Sequence, residues 1–411
     1  MQTNLSPEFK NTPDGLEAEA ILRKCVHCGF CNATCPTYQL LGDELDGPRG
    51  RIYLIKQVLE GETPTAKTQL HLDRCLTCRN CETTCPSGVQ YGHLVDIGRK
   101  FVDAKVPRGA GSKALRWALK EGLTSPLFSP AMKLGQAVRG VLPATLKNKV
   151  PARQEAGRWP TREHARKVLL LAGCVQPSMM PNINSATARV LDAAGIQTLI
   201  AATAGCCGAV KFHLNDHDGG KDQMRANIDA WWPYVEANAG TAAVEAIVMN
   251  ASGCGVTVKD YGHILRYDTA YAAKAQRIAE LTVDLSELLP MIAAELQGKV
   301  RPADGMLAFH PPCTLQHGQQ LRGGVEQHLG MLGFNIRVAN NEPHLCCGSA
   351  GTYSVLQPEI AYQLRDRKLE HLGELAPQTI VSANIGCITH LQSGTTTPVR
   401  HWIEMLDTAL R

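Results

Sequence analysis

The chain has few aromatic residues, 5% of 411, and no long apolar run. Its strongest apolar stretches, such as residues 168–173, fall far short of the ~18 residues a membrane-spanning helix needs. Residues 1–15 contain Pro, Asp, Glu and Asn and lack the apolar core of a secretory signal, so a cytoplasmic protein is expected. There is no Walker loop and no Gly-x-Ser-x-Gly elbow, which argues against P-loop and serine-hydrolase chemistry. One stretch fits the dinucleotide fingerprint, Gly109-Ala-Gly111-Ser-Lys-Ala114. It follows Lys105-Val-Pro-Arg108 rather than a strand, and no βαβ unit surrounds it, so this chain is not expected to bind a flavin or nicotinamide itself. No recognised nucleic-acid-binding fold accompanies its basic residues, so no nucleic-acid partner is expected.

Cysteine is plentiful. There are 16, and without export a reducing compartment disfavours a disulfide framework, leaving metal binding as the reading. They fall into two sets of eight separated by 88 residues with none. Charge is also uneven. Residues 105–167 hold 14 Lys/Arg against Glu121, Glu155 and Glu163, a local +11 within a total of +4, so the rest carries −7. Such asymmetry points to a partner for the basic segment.

The first eight cysteines read Cys25-x-x-Cys28-x-x-Cys31-x-x-x-Cys35-Pro36 and again Cys75-x-x-Cys78-x-x-Cys81-x-x-x-Cys85-Pro86. This is the bacterial ferredoxin spacing, in which three cysteines wrap one cluster and the fourth, past a proline turn, reaches the other. Cys25, Cys28, Cys31 and Cys85 are therefore expected to hold one [4Fe–4S] cluster, and Cys75, Cys78, Cys81 and Cys35 a second. Two zinc sites are the alternative, but zinc needs neither the third cysteine nor the repeated Cys-Pro. His27 reads as a loop residue rather than a ligand. Between the motifs residues 52–59 read as helix, and Arg49 and Arg51 are candidates to pair with cluster or carboxylate charge.

The last eight cysteines form a duplication. Cys174, Cys206-Cys207-Gly208 and Cys254 match Cys313, Cys346-Cys347-Gly348 and Cys387 at offsets of 139, 140 and 133 residues. The text before Cys254 parallels that before Cys387, and residues 283–288 parallel 399–404. Residues 168–171, 196–200, 306–309 and 334–338 read as strands, and 186–194 and 325–332 as helices, implying small parallel sheets with the cysteines at strand ends. The glycine is expected to let the backbone turn so that both thiolates face one site. Four soft ligands per repeat suit an iron–sulfur cluster or zinc.

These motifs together resemble the heterodisulfide-reductase/glycerol-phosphate-dehydrogenase iron–sulfur family. Within it, Cys25-Val-His-Cys28-Gly-Phe-Cys31, Gly42-Asp-Glu-Leu-Asp-Gly-Pro-Arg-Gly-Arg51 and the Cys75–Cys85 motif are most similar to the iron–sulfur subunits of glycolate-oxidising complexes. The resemblance implies an electron-transfer subunit without a substrate oxidation site of its own. It would take electrons from separate FAD-binding subunits and pass them to a quinone or other acceptor. Equivalent subunits of D-lactate or glycerol-3-phosphate dehydrogenases, and a thiol-acting heterodisulfide-reductase-like enzyme, are the alternatives. Family repeats often end in Cys-x-x-Cys; here Ala251 and Asn384 stand at the earlier position, a departure from the thiol-reducing members.

The expected architecture is α+β and multidomain. A helical dicluster ferredoxin-like domain (1–104) leads to a basic linker with amphipathic helices (105–167), followed by two α/β Cys-Cys-Gly repeats (168–298 and 299–411). In the linker Leu115, Ala118, Leu119 and Leu123, and Leu134, Val138, Val141 and Leu142, have helical spacing, decorated by Lys113, Arg116, Lys120, Lys133 and Arg139. Such a face suits the cytoplasmic surface of the inner membrane, an acidic flavin subunit, or the chain's own domains. His310, His344 and His401 near the second quartet are candidates for proton transfer or metal ligation.

Overall fold

The apolar runs after the basic segment become the strands of two parallel sheets. In the computed structural model, which describes residues 1–143, 147, 150–236 and 243–411, β1 (Arg166–Leu170), β2 (Ile196–Leu199), β3 (Ala246–Met249) and β4 (Thr282–Asp284) are ordered β2-β1-β3-β4. β5 (Met306–His310), β6 (Asn335–Val338), β7 (Thr379–Ser382) and β8 (Val399–His401) repeat the pattern as β6-β5-β7-β8. All neighbours are parallel. The inner strands are buried on both faces, which is why residues 168–170 and 246–249 are continuous apolar runs rather than alternating ones. In each sheet the strand order reverses between the first and third strand, and such a switch point opens a crevice at the carboxyl ends of the strands.

The repeats are not two separate bodies. The first helix of one, Asn182–Ala193, lies on the last helix of the other, Trp402–Thr408, and Leu285–Leu296 lies on Gly324–Met331 in the same way. One apolar core therefore runs from Val168 through Leu289, Ile292 and Leu329 to Trp402 and Leu406. At the centre of this pseudo-symmetric pair Ser252 donates its N–H to the Ala383 carbonyl at 3.0 Å, and the Ser252 and Thr314 hydroxyls meet at 2.7 Å.

The N-terminal module is helical. Pro13–Lys24, Pro48–Leu59, Ala66–Asp73 and Tyr91–Lys105 close around Phe9, Leu22, Ile55, Leu59 and Leu94. The helix expected over 52–59 starts a turn earlier because Pro48 occupies its first position, where a missing N–H costs nothing.

In the basic segment two helices form, Ala110–Thr124 and Phe128–Ala137, and no residue of either is buried. The helical period read through Val138, Val141 and Leu142 breaks: Val138 caps the second helix, and Arg139–Val141 is a 3-10 turn. Residues 144–146 and 148–149 of this segment, Lys149 among them, lie outside the described residues. Part of the basic charge is tied to the folded body. Arg108 and Arg116 reach Asp73 at 2.5 and 2.9 Å, and Lys120 reaches Asp216 at 3.0 Å. Among the described residues no helix is long and apolar enough to cross a membrane.

Candidate metal centres

In both ferredoxin motifs the ligand loop curls through the left-handed region at the same two places. These are His27 and Gly29 in the first (φ 59° and 87°) and Thr77 and Arg79 in the second (φ 51° and 57°). The curl gathers Cys25, Cys28 and Cys31 around one small cavity together with Cys85. Cys75, Cys78 and Cys81 surround another together with Cys35. The fourth cysteine of each motif thus lies with the first three of the other. Burial, then the charges of Cys25 and Cys85, pushes the Cys31 thiol up to about 11. Burial, with the neighbouring thiols, also raises Cys78 and Cys81. Four thiolates so close repel one another, and a bound cationic cluster is what relieves that repulsion. The donor set therefore fits a [4Fe–4S] cluster at each place.

The two arginines singled out in the sequence part company here. Arg49 pairs with Glu44 at 2.6 Å. Arg51 is 1% exposed and donates to the His71 carbonyl at 2.7 Å and the Thr37 hydroxyl at 3.1 Å, with the Asp46 carboxylate 3.5 Å away. Burial alone would lower its pKa, but Cys75, Tyr91, Cys35 and the Asp46 carboxylate around it raise it, so it stays charged beside the second cysteine set. Asp46 is itself fully buried and also holds Arg74 at 2.8 Å and His71 at 3.0 Å. The His27 ring sits edge-on to Tyr53, while its backbone N–H donates to the Cys25 sulfur.

Each Cys-Cys-Gly quartet gathers at its sheet's switch point. Cys174 follows β1, Cys206 and Cys207 follow β2, and Cys254 sits on the helix Ser252–Lys259 after β3. Hydrogen bonds from Cys174 and Cys207 pull the Cys206 thiol down, and sharing that proton pushes the two partners up. In the second repeat the Cys313 and Cys346 sulfurs are 3.6 Å apart, and Cys347 bonds Cys387. Gly208 and Gly348 both take left-handed backbone, φ 91° and 88°, and the Gly348 N–H donates to the Cys346 sulfur at 3.4 Å. All sixteen cysteines are free thiols.

Tertiary structure adds what spacing did not carry. All of the first quartet and Cys313, Cys346 and Cys387 of the second open onto one cavity of about 680 Å³, which Cys75 and Cys78 also line. The second ferredoxin set lies against the second quartet. Leu76 and Cys78 pack with Cys313, Cys346 and Tyr353; the Tyr353 hydroxyl donates to the Arg74 carbonyl at 3.0 Å, and Thr83 meets His317 at 3.0 Å. Asn384, at the earlier position of the Cys-x-x-Cys ending common in family repeats, donates to the Cys387 sulfur at 3.7 Å.

The three candidate histidines differ. His401 caps the helix Trp402–Thr408, its Nδ1 accepting the Ile403 N–H at 3.1 Å, which is a structural role. The His344 side chain is half-buried with a lowered pKa, from burial and then Lys368; only its carbonyl takes part in the site, accepting from His317 at 2.9 Å. His310 is 1% exposed and neither ring nitrogen has a hydrogen-bond partner. An unpaired buried polar group costs about 1–3 kcal/mol. One of its nitrogens and the sulfurs of Cys347 and Cys387 all lie within 4.8 Å of one another. Two groups escaped the sequence reading. Lys368 is 2% exposed and donates to the Glu342 carbonyl at 2.5 Å; burial lowers its pKa to about 8 against the opposing charges of Cys347, Cys346, Glu342 and Cys313. Glu17, His93, His263 and Asp260 join the N-terminal module to the first repeat. No spacing signal marks either group, because their members are far apart in the chain.

Comparison with known proteins agrees with this geometry. Residues 21–89 match the model of the 4Fe-4S dicluster domain, and residues 168–259 and 307–392 match that of the cysteine-rich domain. The chain is 54% identical to the glycolate oxidase iron-sulfur subunit of Escherichia coli (strain K12), over 100% of this chain and 99% of that protein. It is 27% identical to the probable glycolate oxidase iron-sulfur subunit of Bacillus subtilis (strain 168), over 94% and 91%. Lactate utilization protein A of Geobacillus thermodenitrificans (strain NG80-2) is 27% identical over 55% of this chain and 90% of its own.

Proposed function

The chain belongs to the family of glycolate oxidase iron–sulfur subunits, and from that we propose that it is the electron-transfer subunit of a complex oxidising glycolate to glyoxylate. Hydride removal from a 2-hydroxy acid needs an organic cofactor, which a separate FAD-binding subunit would bring. Clusters held by Cys25, Cys28, Cys31 and Cys85, by Cys35, Cys75, Cys78 and Cys81, and by the repeat quartets would supply one-electron chemistry.

The observation that carries the reading is the row the cysteine sets make across the molecule. At one end Cys28 is exposed in a loop whose Val26 and Phe30 are 69% and 62% exposed. Bare apolar side chains beside a redox site suit the docking of the flavin subunit. The next set is buried against the second quartet, and the shared cavity lies beyond it. Buried sites exclude water and dioxygen, and neighbouring sets give electrons a route through the molecule.

The far end suits a membrane-borne acceptor such as a quinone. The helices Ala110–Thr124 and Phe128–Ala137 turn Leu119, Leu123, Phe128 and Met132 to the cavity. They leave Trp117, Leu127 and Leu134 64–73% exposed, beside Lys113 and Lys133. An apolar face with basic flanks is the form that lies on anionic lipid, which supports peripheral attachment to the cytoplasmic face of the inner membrane.

The test is anaerobic co-purification with the flavin subunit, followed by addition of glycolate or D-lactate while the cluster signals are followed by EPR. Reduction by glycolate at catalytic rate is expected. Reduction by D-lactate and not glycolate would assign the chain to a different complex, and absence of iron would refute the proposal outright.

A further inference from the structure

We infer that His310 is a ligand of the metal centre in the second repeat, which makes that centre a His/Cys iron–sulfur site, unlike the all-cysteine site of the first. The inference rests on the reading that the repeats hold clusters, and it goes beyond that reading in naming a ligand.

The duplication supplies an internal comparison. Val168 and Leu307 hold equivalent places, since each lies opposite the corresponding residue of the third strand, Ala246 and Thr379. Three residues on, His310 occupies the place of Leu171. Leu171 is 3% exposed and packs in the first repeat's apolar core. A position that needed only packing would take Leu again. The second repeat instead buries an imidazole and leaves both nitrogens without a partner. Native structures rarely do this unless an ion takes up the orphan atom. The orphan nitrogen faces two cysteine sulfurs, Cys347 and Cys387, within 4.8 Å.

His310 therefore brings the donors at this site to five: Cys313, Cys346, Cys347, Cys387 and the imidazole. Structural zinc closes its shell with four, so the set points to a cluster with more than one iron. Lys368, buried beside the same cysteines, supplies a positive charge for a cluster still rich in thiolates. A neutral imidazole in place of a fifth thiolate keeps the potential of an iron–sulfur centre higher. The second repeat is the one packed against Cys78.

The experiment uses the intact complex, purified anaerobically from cells supplied with 15N-histidine. Pulsed EPR over a range of poised potentials should show a centre beyond the two ferredoxin clusters, with a strongly coupled nitrogen that changes with the label. His310→Leu, which installs the residue of the first repeat, should lose that nitrogen coupling while both ferredoxin signals persist. His310→Cys should keep the centre, lose the coupling and lower its midpoint potential. The inference is overturned by about eight irons per chain, the ferredoxin content alone. It is equally overturned by zinc in the second repeat, or by no nitrogen-coupled centre at any potential. Glycolate-driven reduction of the ferredoxin signals, followed in the same samples, judges the functional proposal separately.

Discussion

Replacing Gly348 by Ala tests whether the Cys-Cys-Gly turn is demanded by backbone geometry. Gly348 sits at φ 88° and directs its N–H at the Cys346 sulfur. A Cβ built there would lie 2.4 Å from the Ala361 carbonyl oxygen and 3.0 Å from the Leu364 Cβ. Both belong to the buried side of the helix Pro358–Gly373, so neither can swing away. A left-handed non-glycine residue costs about 1–2 kcal/mol, and forcing atoms into a packed site adds about 1–3 kcal/mol. The sum is about 2–5 kcal/mol. Two companions calibrate it. Gly208→Ala has the same backbone requirement at φ 91°, but beyond the Gly220 oxygen at 2.8 Å it meets mainly the flexible Met224 side chain, so it should cost less. Gly195→Ala, at φ 79° with nothing within 4 Å, should cost only the conformational share, about 1–2 kcal/mol. Denaturant midpoints of the three variants, read with the metal content of the repeats, should fall in that order. If Gly348→Ala is no more disruptive than Gly195→Ala, the reasoning from close approach is wrong.

Arg51→Leu should destabilise the N-terminal module by about 3–5 kcal/mol, because it breaks a buried ion pair, and should lower the midpoint potential of the second ferredoxin cluster; an unchanged redox titration would refute the electrostatic role. The joint between the N-terminal module and the first repeat should be pH-dependent. Burial alone would lower the His93 pKa, but the hydrogen bond and charge of Asp260, helped by Glu17 and opposed by Arg79, raise it. A raised histidine contributes stability below its unfolded value of about 6.5 that is lost as pH rises through the folded value. Burial would raise Asp260, but His93 and Arg79 hold it below the usual range, so its share is present above about pH 4 and lost in acid. Thermal stability should therefore fall as pH rises above about 6.5, and Asp260→Asn should flatten that fall; equal slopes would count against the joint. Trp117→Ser, Leu127→Ser and Leu134→Ser together should release the complex from anionic lipid vesicles while leaving iron content intact, and unchanged co-sedimentation would sink the membrane reading.

Much of this site was legible before any coordinate, because iron–sulfur ligation is local. Cys-x-x-Cys-x-x-Cys places three thiols on one loop, and the same loop recurs with left-handed residues in matching places. The strands were legible because buried parallel strands are continuous apolar runs, and the duplication was legible as near-constant cysteine offsets. The helix period through Val138, Val141 and Leu142 misled, since nothing buries that face to hold the second helix past Ala137. Relations between segments were not written in spacing at all. That cysteines of both quartets share a cavity depends on the two switch points turning toward each other, and that Cys78 meets Cys313 and Cys346 depends on the N-terminal module docking on the second repeat. The amino-acid order determined which cysteines share a loop, through spacings of a few residues. Only the folded chain decided how the cysteine sets meet and that His310, three residues before Cys313 in sequence, lies unpaired close to the Cys347 and Cys387 sulfurs, because burial and the reach of a side chain are properties of packing rather than of order.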